Sequence, residues 1–141
     1  MAGPVSVVRF RGVGEAVEWL KRYEAGLVAG GLELLRALEA ERRRLEAEKG
    51  LEEALGTRFE PVVADIGGVK VLFEPAARDR VGLLRDLIGR IDERASHVRS
   101  VREKLEEFGE KGADVSVQVV LVSGDVWVVL ASIGGVNLLP V

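Results

Sequence analysis

The sequence predicts a protein of the α+β class, with elements in the order β-α-β-β-α-β-β. Two long segments, 15–55 and 79–111, repeat apolar residues at alternating spacings of three and four, which is typical of helices that pack lengthwise. Shorter valine-rich segments bounded by glycine and proline are typical of strands. With 141 residues and 48% apolar composition, the chain can bury a core, so we expect a single domain over residues 1–141.

The second long segment, 79–111, has the more regular apolar pattern. One position recurs every seven residues from Leu84 to Leu105, and a second recurs three residues after it, interrupted once by Arg94. Such a pattern forms the contact surface of a coiled coil. The predicted interaction seam consists of Leu84, Leu87, Ile91, Arg94, Val98, Val101, Leu105 and Phe108.

The first long segment, 15–55, has a weaker seam because acidic residues share it with leucines. Glu41 and Glu48 occupy seam positions, and we expect one of them to face Arg94 of the second helix. A partly buried ion pair of that kind fixes the register of two helices at a cost in stability. Three glycines between residues 26 and 31 either break this helix or let a partner helix approach closely.

The remaining segments predict five strands. Residues 5–11 form the first strand, and residues 58–74 form a β-hairpin that turns at Ile66-Gly67-Gly68. Two further strands, 115–122 and 126–132, follow the second helix and are joined by a Ser-Gly-Asp turn. The second of these is almost wholly apolar, which predicts a strand buried on both faces.

The element lengths favour one of two arrangements. A helix over 15–55 spans about 60 Å, whereas a six-residue strand covers about 20 Å. We therefore predict two long antiparallel, coiled-coil-like helices, with the β-hairpin at one tip and a small sheet at the other. The alternative is a ferredoxin-like split βαβ fold with extended helices and one sheet, which is favoured if the first helix folds back at Gly30-Gly31. Because one helix pair leaves apolar residues uncovered, we expect a homo-oligomer or a protein partner.

The chain offers little for catalysis. It has no cysteine and a single histidine, His97, for which Glu93 is the candidate orienting acid one helical turn away. The simpler interpretation is a surface histidine beside an acid. The Gly12–Gly14 segment lacks the third glycine of a dinucleotide site and indicates a tight turn. We therefore expect no enzyme activity and no catalytic, cofactor-binding or metal-binding residues.

Arginines are frequent in the second helix, with seven between residues 78 and 102. Guanidinium groups along one helix face can bind phosphates, so nucleic acid is an alternative partner. The net charge of −3 and the acids interspersed along the helix argue against it. The arginines that would make such contacts are Arg78, Arg85, Arg90, Arg99 and Arg102.

Composition also bears on source, location and function. One glutamine, one asparagine, 15 arginines and 17 glutamates are typical of a thermophilic protein. The first ten residues lack the pattern of a secretory signal, and residues 115–141 carry strand and turn features, so a membrane span is not favoured. We expect a cytoplasmic, non-enzymatic assembly or interaction module that acts through its helix pair and strand edges. The alternatives are a nucleic-acid-associated accessory protein and a small ligand-binding domain or enzyme of ferredoxin-like fold.

Overall fold

The computed structural model describes residues 4–58, 60, 62–73, 76–110 and 115–133. Its elements follow the predicted order, so the α+β class is confirmed. They are β1 (Val5–Phe10), α1 (Val13–Leu55), β2 (Val62–Ile66), β3 (Val69–Phe73), α2 (Ala77–Glu110), β4 (Val115–Val122) and β5 (Asp125–Ile133). Residue 111, the predicted end of the second helix, and residue 74 of the predicted hairpin lie outside the described residues.

The strands form two antiparallel sheets. One has three strands in the order β1-β4-β5, and the other pairs β2 with β3. The alternative of one ferredoxin-like sheet is therefore wrong. The 43-residue α1 is a single helix through the glycines at 26–31. Each glycine costs a helix about 1 kcal/mol relative to alanine, a penalty that the packing of a long helix offsets.

The chain divides into two compact units. Unit 1 comprises the described residues of Met1–Val28 and Asp92–Val141, and unit 2 comprises those of Ala29–Ile91. Each unit contains one of the two sheets and a part of each helix.

The core of unit 1 lies between the inner face of its sheet and the helical segments. Val117 and Val119 of β4 are fully buried, as are Leu20 of α1 and Val98 of α2. Burying a valine or leucine side chain contributes about 1.5–3 kcal/mol, so this cluster is a main source of stability for unit 1. The cluster comprises Phe10, Val13, Ala16, Val17, Leu20, Val98, Leu105, Val115, Val117, Val119, Leu121 and Val126.

The central strand β4 is buried on both faces. On its outer face Gln118 and Val120 are almost fully buried. The sequence had predicted double burial for residues 126–132 instead. Those residues lie in β5 at the edge of the sheet, where Trp127 is 72% exposed. That prediction is wrong because two valine-rich strands differ in burial according to how many neighbours each has, which the composition of either strand does not record.

The hairpin of unit 2 turns within the predicted segment, but at Gly67 and Gly68 alone, because Ile66 belongs to β2 and pairs with Val69. Gly67 and Gly68 both have positive φ, at 60° and 81°. The Gly68 N–H donates a hydrogen bond of 3.0 Å to a carboxylate oxygen of Asp65. A two-residue loop with positive φ at both positions suits the right-handed twist of paired strands, and glycine adopts it at little cost.

The helical segments of unit 2 run antiparallel and approach closely at one glycine. Gly31 is buried, and a Cβ atom there would lie 3.6 Å from Cγ2 of Ile91. At Gly26 and Gly30, by contrast, an added Cβ would meet nothing within 4 Å. Of these three glycines, Gly31 is therefore the one that admits a neighbouring helix.

The α2 helix buries a face that differs in part from the predicted seam. Val98 and Leu105 are buried, whereas Leu87 and Phe108 are 44% and 38% exposed. The first series is the seven-residue repeat from Leu84 to Leu105. The second set of covered positions lies four residues after each member of that repeat, whereas the sequence predicted three. It includes small and charged side chains, which a search for large apolar residues passes over. These positions are Ile88, Ala95, Arg102 and Gly109, and Val81 precedes them by one heptad.

Candidate functional site

An open groove lies in unit 1 between α2 and the edge strand β5. Its volume is about 430 Å³, and its wall is mainly apolar. It is lined by Val101, Leu105, Phe108, Val129 and Ala131, with the polar residues His97, Ser100 and Lys104. We call it the α2–β5 groove. An apolar floor with a few polar groups is typical of a surface that binds an apolar segment of another molecule.

Helical spacing accounts for the α2 side of this groove. His97, Val101, Lys104 and Phe108 follow one another at intervals of four, three and four residues, so they lie along one side of the helix. This side flanks the buried face of α2. The exposed part of Phe108 therefore belongs to the groove rather than to the helix contact that the sequence predicted for it.

The β5 strand supplies a free edge beside the groove. Among the described residues it pairs with β4 alone. Its other edge presents backbone N–H and C=O groups that no described strand contacts. From Val126 to Ile133 the strand carries no charged side chain, although charge is a common protection of an exposed edge against pairing with another chain.

The other edge strand, β1, is better protected than β5. It is six residues long and carries Arg9, with Arg11 directly after it. The β5 strand has one protective feature, a bulge in which Trp127 is the extra residue. A bulge twists the local backbone and hinders pairing there. Residues 128–133 pair regularly with β4, and within the described ranges no strand lies on their other side.

The turn between β4 and β5 is held by both helices. Ser123 and Gly124 have φ values of 51° and 83°, the left-handed conformations of a two-residue hairpin turn. The Tyr23 hydroxyl of α1 donates a hydrogen bond to the Gly124 carbonyl. Arg94 Nε of α2 donates one of 2.7 Å to Asp125 Oδ1. These contacts fix the start of β5, and with it the strand that lines the groove.

The partner predicted for Arg94 is therefore wrong. Within unit 2, Glu41 accepts a hydrogen bond of 2.8 Å from Arg80 Nε, and Glu48 Oε1 lies 3.9 Å from Arg80 Nη2. Arg94 does not lie on the buried face of its helix; its neighbour Ala95 does. The heptad pattern predicted Arg94 in the seam because Arg94 lies three residues after Ile91. The residue that the helix buries lies four residues after Ile91, at Ala95.

Glu48 and one further acid of α1, Glu52, meet the first turn of α2 in unit 2. The Ala77 N–H donates a hydrogen bond of 2.7 Å to Glu48 Oε2. Arg78 Nη1 lies 3.5 Å from Glu52 Oε1. A carboxylate at a helix N-terminus satisfies a backbone donor and interacts favourably with the helix dipole. The acids that interrupt the apolar pattern of α1 thus stabilise the start of α2.

Glu24 is the centre of an ionic cluster in unit 1. Arg99 Nε lies 3.2 Å from it, and Arg102 Nη2 lies 3.4 Å from its other oxygen. Arg102 Nη1 also donates a hydrogen bond of 3.0 Å to Glu106. That hydrogen bond, with the charges of Glu24 and Glu106, raises the pKa of Arg102 above its usual value against the effect of burial. The buried Nε of Arg102 has no hydrogen-bond partner in the part of the chain that the structure describes, so the cluster is only partly satisfied there.

Three of the five α2 arginines that were predicted as nucleic-acid contacts already form ion pairs within the protein. Arg78, Arg99 and Arg102 face carboxylates. Arg85 and Arg90 are exposed. A phosphate-binding face needs a continuous run of cations that are not already neutralised, and α2 does not present one across these five positions.

His97 is exposed on the polar rim of the α2–β5 groove. The structure describes both His97 and Glu93 and shows no hydrogen bond or ion pair between them. An exposed helical histidine was the simpler of the two interpretations from sequence. Its position instead places His97, together with Lys104, among the polar residues that line the groove.

A second recess in unit 1, of about 550 Å³, lies beside the start of α1. It is lined by Val13, Gly14, Val17, Glu18, Lys21, Glu106, Gly109 and Glu110. Three carboxylates against one ammonium group disfavour an anion at this helix N-terminus. The segment at residues 12–14 therefore acts as the start of a helix, where the Ala16 N–H bonds the Gly12 carbonyl at 3.3 Å.

The described residues lack the features of a metal site and of a membrane-spanning helix. Within them, no group of three or more histidine, cysteine, aspartate or glutamate residues is placed to hold a metal ion. No helix in the described ranges is long and apolar enough to cross a membrane.

Comparisons with known proteins gave no relative from which a role could be transferred. No protein-family model matches the chain, and no curated protein or solved structure matches it. The α2–β5 groove and the free edge of β5 are therefore the features on which a function can be argued.

Sequence reasoning found part of this site and missed part. It identified Val101, Leu105 and Phe108 but assigned them to a helix–helix seam. It missed Val129 and Ala131, because it took their strand to be buried on both faces. The uncharged run of β5 would have revealed an edge only if the strand order had been known.

Proposed function

We propose that the protein is a non-enzymatic interaction module that binds an apolar segment of a protein partner in the α2–β5 groove. The observation that carries this proposal is the uncharged edge of β5, which no described strand pairs with, lying beside an open apolar groove. A partner strand added there would satisfy the free backbone groups of β5 and cover the exposed part of Phe108.

The other two functions have less support. Nucleic-acid binding through α2 would have to displace the carboxylates that already face Arg78, Arg99 and Arg102. A small-molecule site of this volume usually has several convergent polar groups that orient the ligand, and the groove has such groups only along its rim. A strand or helix from another protein fits an elongated, mainly apolar surface better.

The proposal is tested by Phe108→Glu, which places a charge in the groove. We expect wild-type protein, crosslinked in extracts of its source cells, to migrate in an assembly larger than the chain mass of 15.3 kDa. The Phe108→Glu variant should lose that assembly. The matched control is Leu87→Glu, which changes an equally exposed residue three heptads earlier on α2, in unit 2. Migration of the wild type at the mass of one chain, or loss of the assembly in Leu87→Glu alone, would contradict the proposal.

A further inference from the structure

We propose that the partner at the free edge of β5 is a second copy of this chain. The two β5 strands pair antiparallel about a two-fold axis and join two three-stranded sheets into one of six strands. This inference rests on the proposed function and names the partner of the same site. The symmetric form is the one that closed dimers most often take, with the same surface used by both copies.

Charge is the first argument for a second copy. Two identical edges meet only if neither carries charges that would face their own copies. Residues 126–133 of β5 are uncharged, so self-pairing brings no like charges together along the strands. The β1 edge carries Arg9 and is followed by Arg11; a symmetric pairing through β1 would place these cations close to their copies. The asymmetry between the two edges selects β5.

The extent of the surface is the second argument. With pairing centred near Leu130, residues 127–133 of the two copies lie opposite one another over about 23 Å, and one strand layer with one helix layer is about 20 Å deep. The shared edge face therefore measures roughly 460 Å² in each copy. Stable dimers bury about 600–1,000 Å² per partner. The strand edge supplies most of the area of a small dimer interface, and the exposed parts of Phe108 and Trp127 add apolar contacts to it.

The bulge sets the register. Trp127 interrupts regular pairing at the start of β5, so the regular segment is 128–133. Its middle lies near Leu130, and a two-fold axis there pairs Val129 of one copy with Ala131 of the other. Both residues line the groove, so the two grooves merge beneath the paired helices. The merged floor is then covered by apolar side chains from both copies.

The absence of cysteine from the chain makes a crosslinking test specific. We expect the Leu130→Cys variant of the purified full chain to form an intermolecular disulfide on mild oxidation. Residues directly opposite one another in antiparallel strands have Cβ atoms about 4.5–5.5 Å apart, close to the span of a disulfide. The control is Ala47→Cys, which places the thiol on an exposed position of α1 in unit 2. Equal crosslinking of the two variants, or none in Leu130→Cys, would overturn the proposal.

Solution mass provides a second test that needs no thiol. Sedimentation of the purified wild-type chain at 1–100 μM should give twice the chain mass of 15.3 kDa. Ala131→Lys adds a charge to an exposed position of the β5 edge and should weaken the dimer by at least tenfold. Val5→Lys adds the same charge to an exposed position of β1 and should leave the dimer unchanged. Circular dichroism verifies that both variants are folded.

The outcomes separate this inference from the function on which it rests. If the purified chain is monomeric while the extract still contains an assembly that depends on Phe108, the partner is a different protein and only the inference fails. If deleting residues 134–141 converts a monomer into a dimer, the edge belongs to the chain's own end and the inference also fails. If the extract contains no assembly larger than one chain, both proposals fail.

Discussion

Gly109 shows how a single missing Cβ decides the packing of a helix in unit 1. A Cβ at this position would lie 2.8 Å from Cγ1 of Val13, a buried residue at the start of α1. We expect Gly109→Ala to destabilise the protein by about 1–3 kcal/mol, because the core must shift to admit the added atom. Urea unfolding followed by circular dichroism measures this change.

Gly89 is the matched control on the same helix. A Cβ at Gly89 would meet nothing within 4 Å, so Gly89→Ala should stabilise the protein by up to about 1 kcal/mol through helix propensity alone. Equal effects of the two substitutions would show that Gly109 does not contact Val13 in solution. The residue pattern alone does not distinguish these glycines, because both occur in a helical segment rich in charged residues.

Arg94 illustrates a limit of pattern reading at the scale of one residue. Arg94 is the one charged residue in the apolar series of Leu87, Val101 and Phe108, and a contact in the folded protein explains why. The cause is the turn between β4 and β5, whose Asp125 lies 31 residues further along the chain. Only the tertiary structure brings that turn to α2, so the sequence favoured an acid of the neighbouring helix instead.

At the scale of elements, the ionic cluster around Glu24 holds α1 and α2 together within unit 1. Replacing Arg102 with leucine leaves Glu24 with Arg99 alone, and we expect a loss of about 1–3 kcal/mol, since a partly buried carboxylate keeps fewer partners. The double variant Glu24→Leu with Arg102→Leu should lose less than the sum of the two single variants. Thermal unfolding of the four proteins measures the coupling, and strict additivity would show that Glu24 and Arg102 do not stabilise the protein through each other.

The start of α2 in unit 2 depends on a residue of α1. Glu48→Ala removes the acceptor of the Ala77 N–H, and we expect a loss of about 0.5–2 kcal/mol, the usual effect of deleting a helix cap. Glu46→Ala, at an exposed position two residues earlier, is the control and should change stability by less than about 0.5 kcal/mol. Chemical denaturation compares the two variants, and similar losses would contradict the capping role.

The sequence predicted the positions of helices and strands better than it predicted their contacts. Helices and strands follow from local periodicity and turn chemistry, so both helices begin within two residues of the predicted positions. Strand order is not local. Whether β4 or β5 is central depends on β1, which pairs with β4 from the other end of the chain. The groove was therefore missed, although three of the six side chains on its α2 side belonged to the predicted seam.

At the scale of the whole molecule, the two units differ in how much they bury. The buried apolar cluster lies in unit 1, whereas the hairpin of unit 2 exposes Val63, Ile66 and Val69 by more than half. An isolated two-stranded hairpin is only marginally stable in water. We expect backbone amides of β4 to exchange with deuterium far more slowly than those of β2 and β3. Exchange at equal rates, measured by mass spectrometry, would show that the chain opens as one cooperative unit.

The pairing of β1 with β4 has a consequence for how the chain is made. Val5 pairs with Val122, so β1 leaves the ribosome long before its partner exists. At about 5–20 residues per second, the delay is roughly 6–22 seconds. Unit 2, whose residues are contiguous in sequence, can form during that interval, whereas Phe10 and the apolar start of α1 stay uncovered. The sheet of unit 1 closes last, and the nascent chain is most prone to aggregation and most dependent on chaperones just before β4 is synthesised.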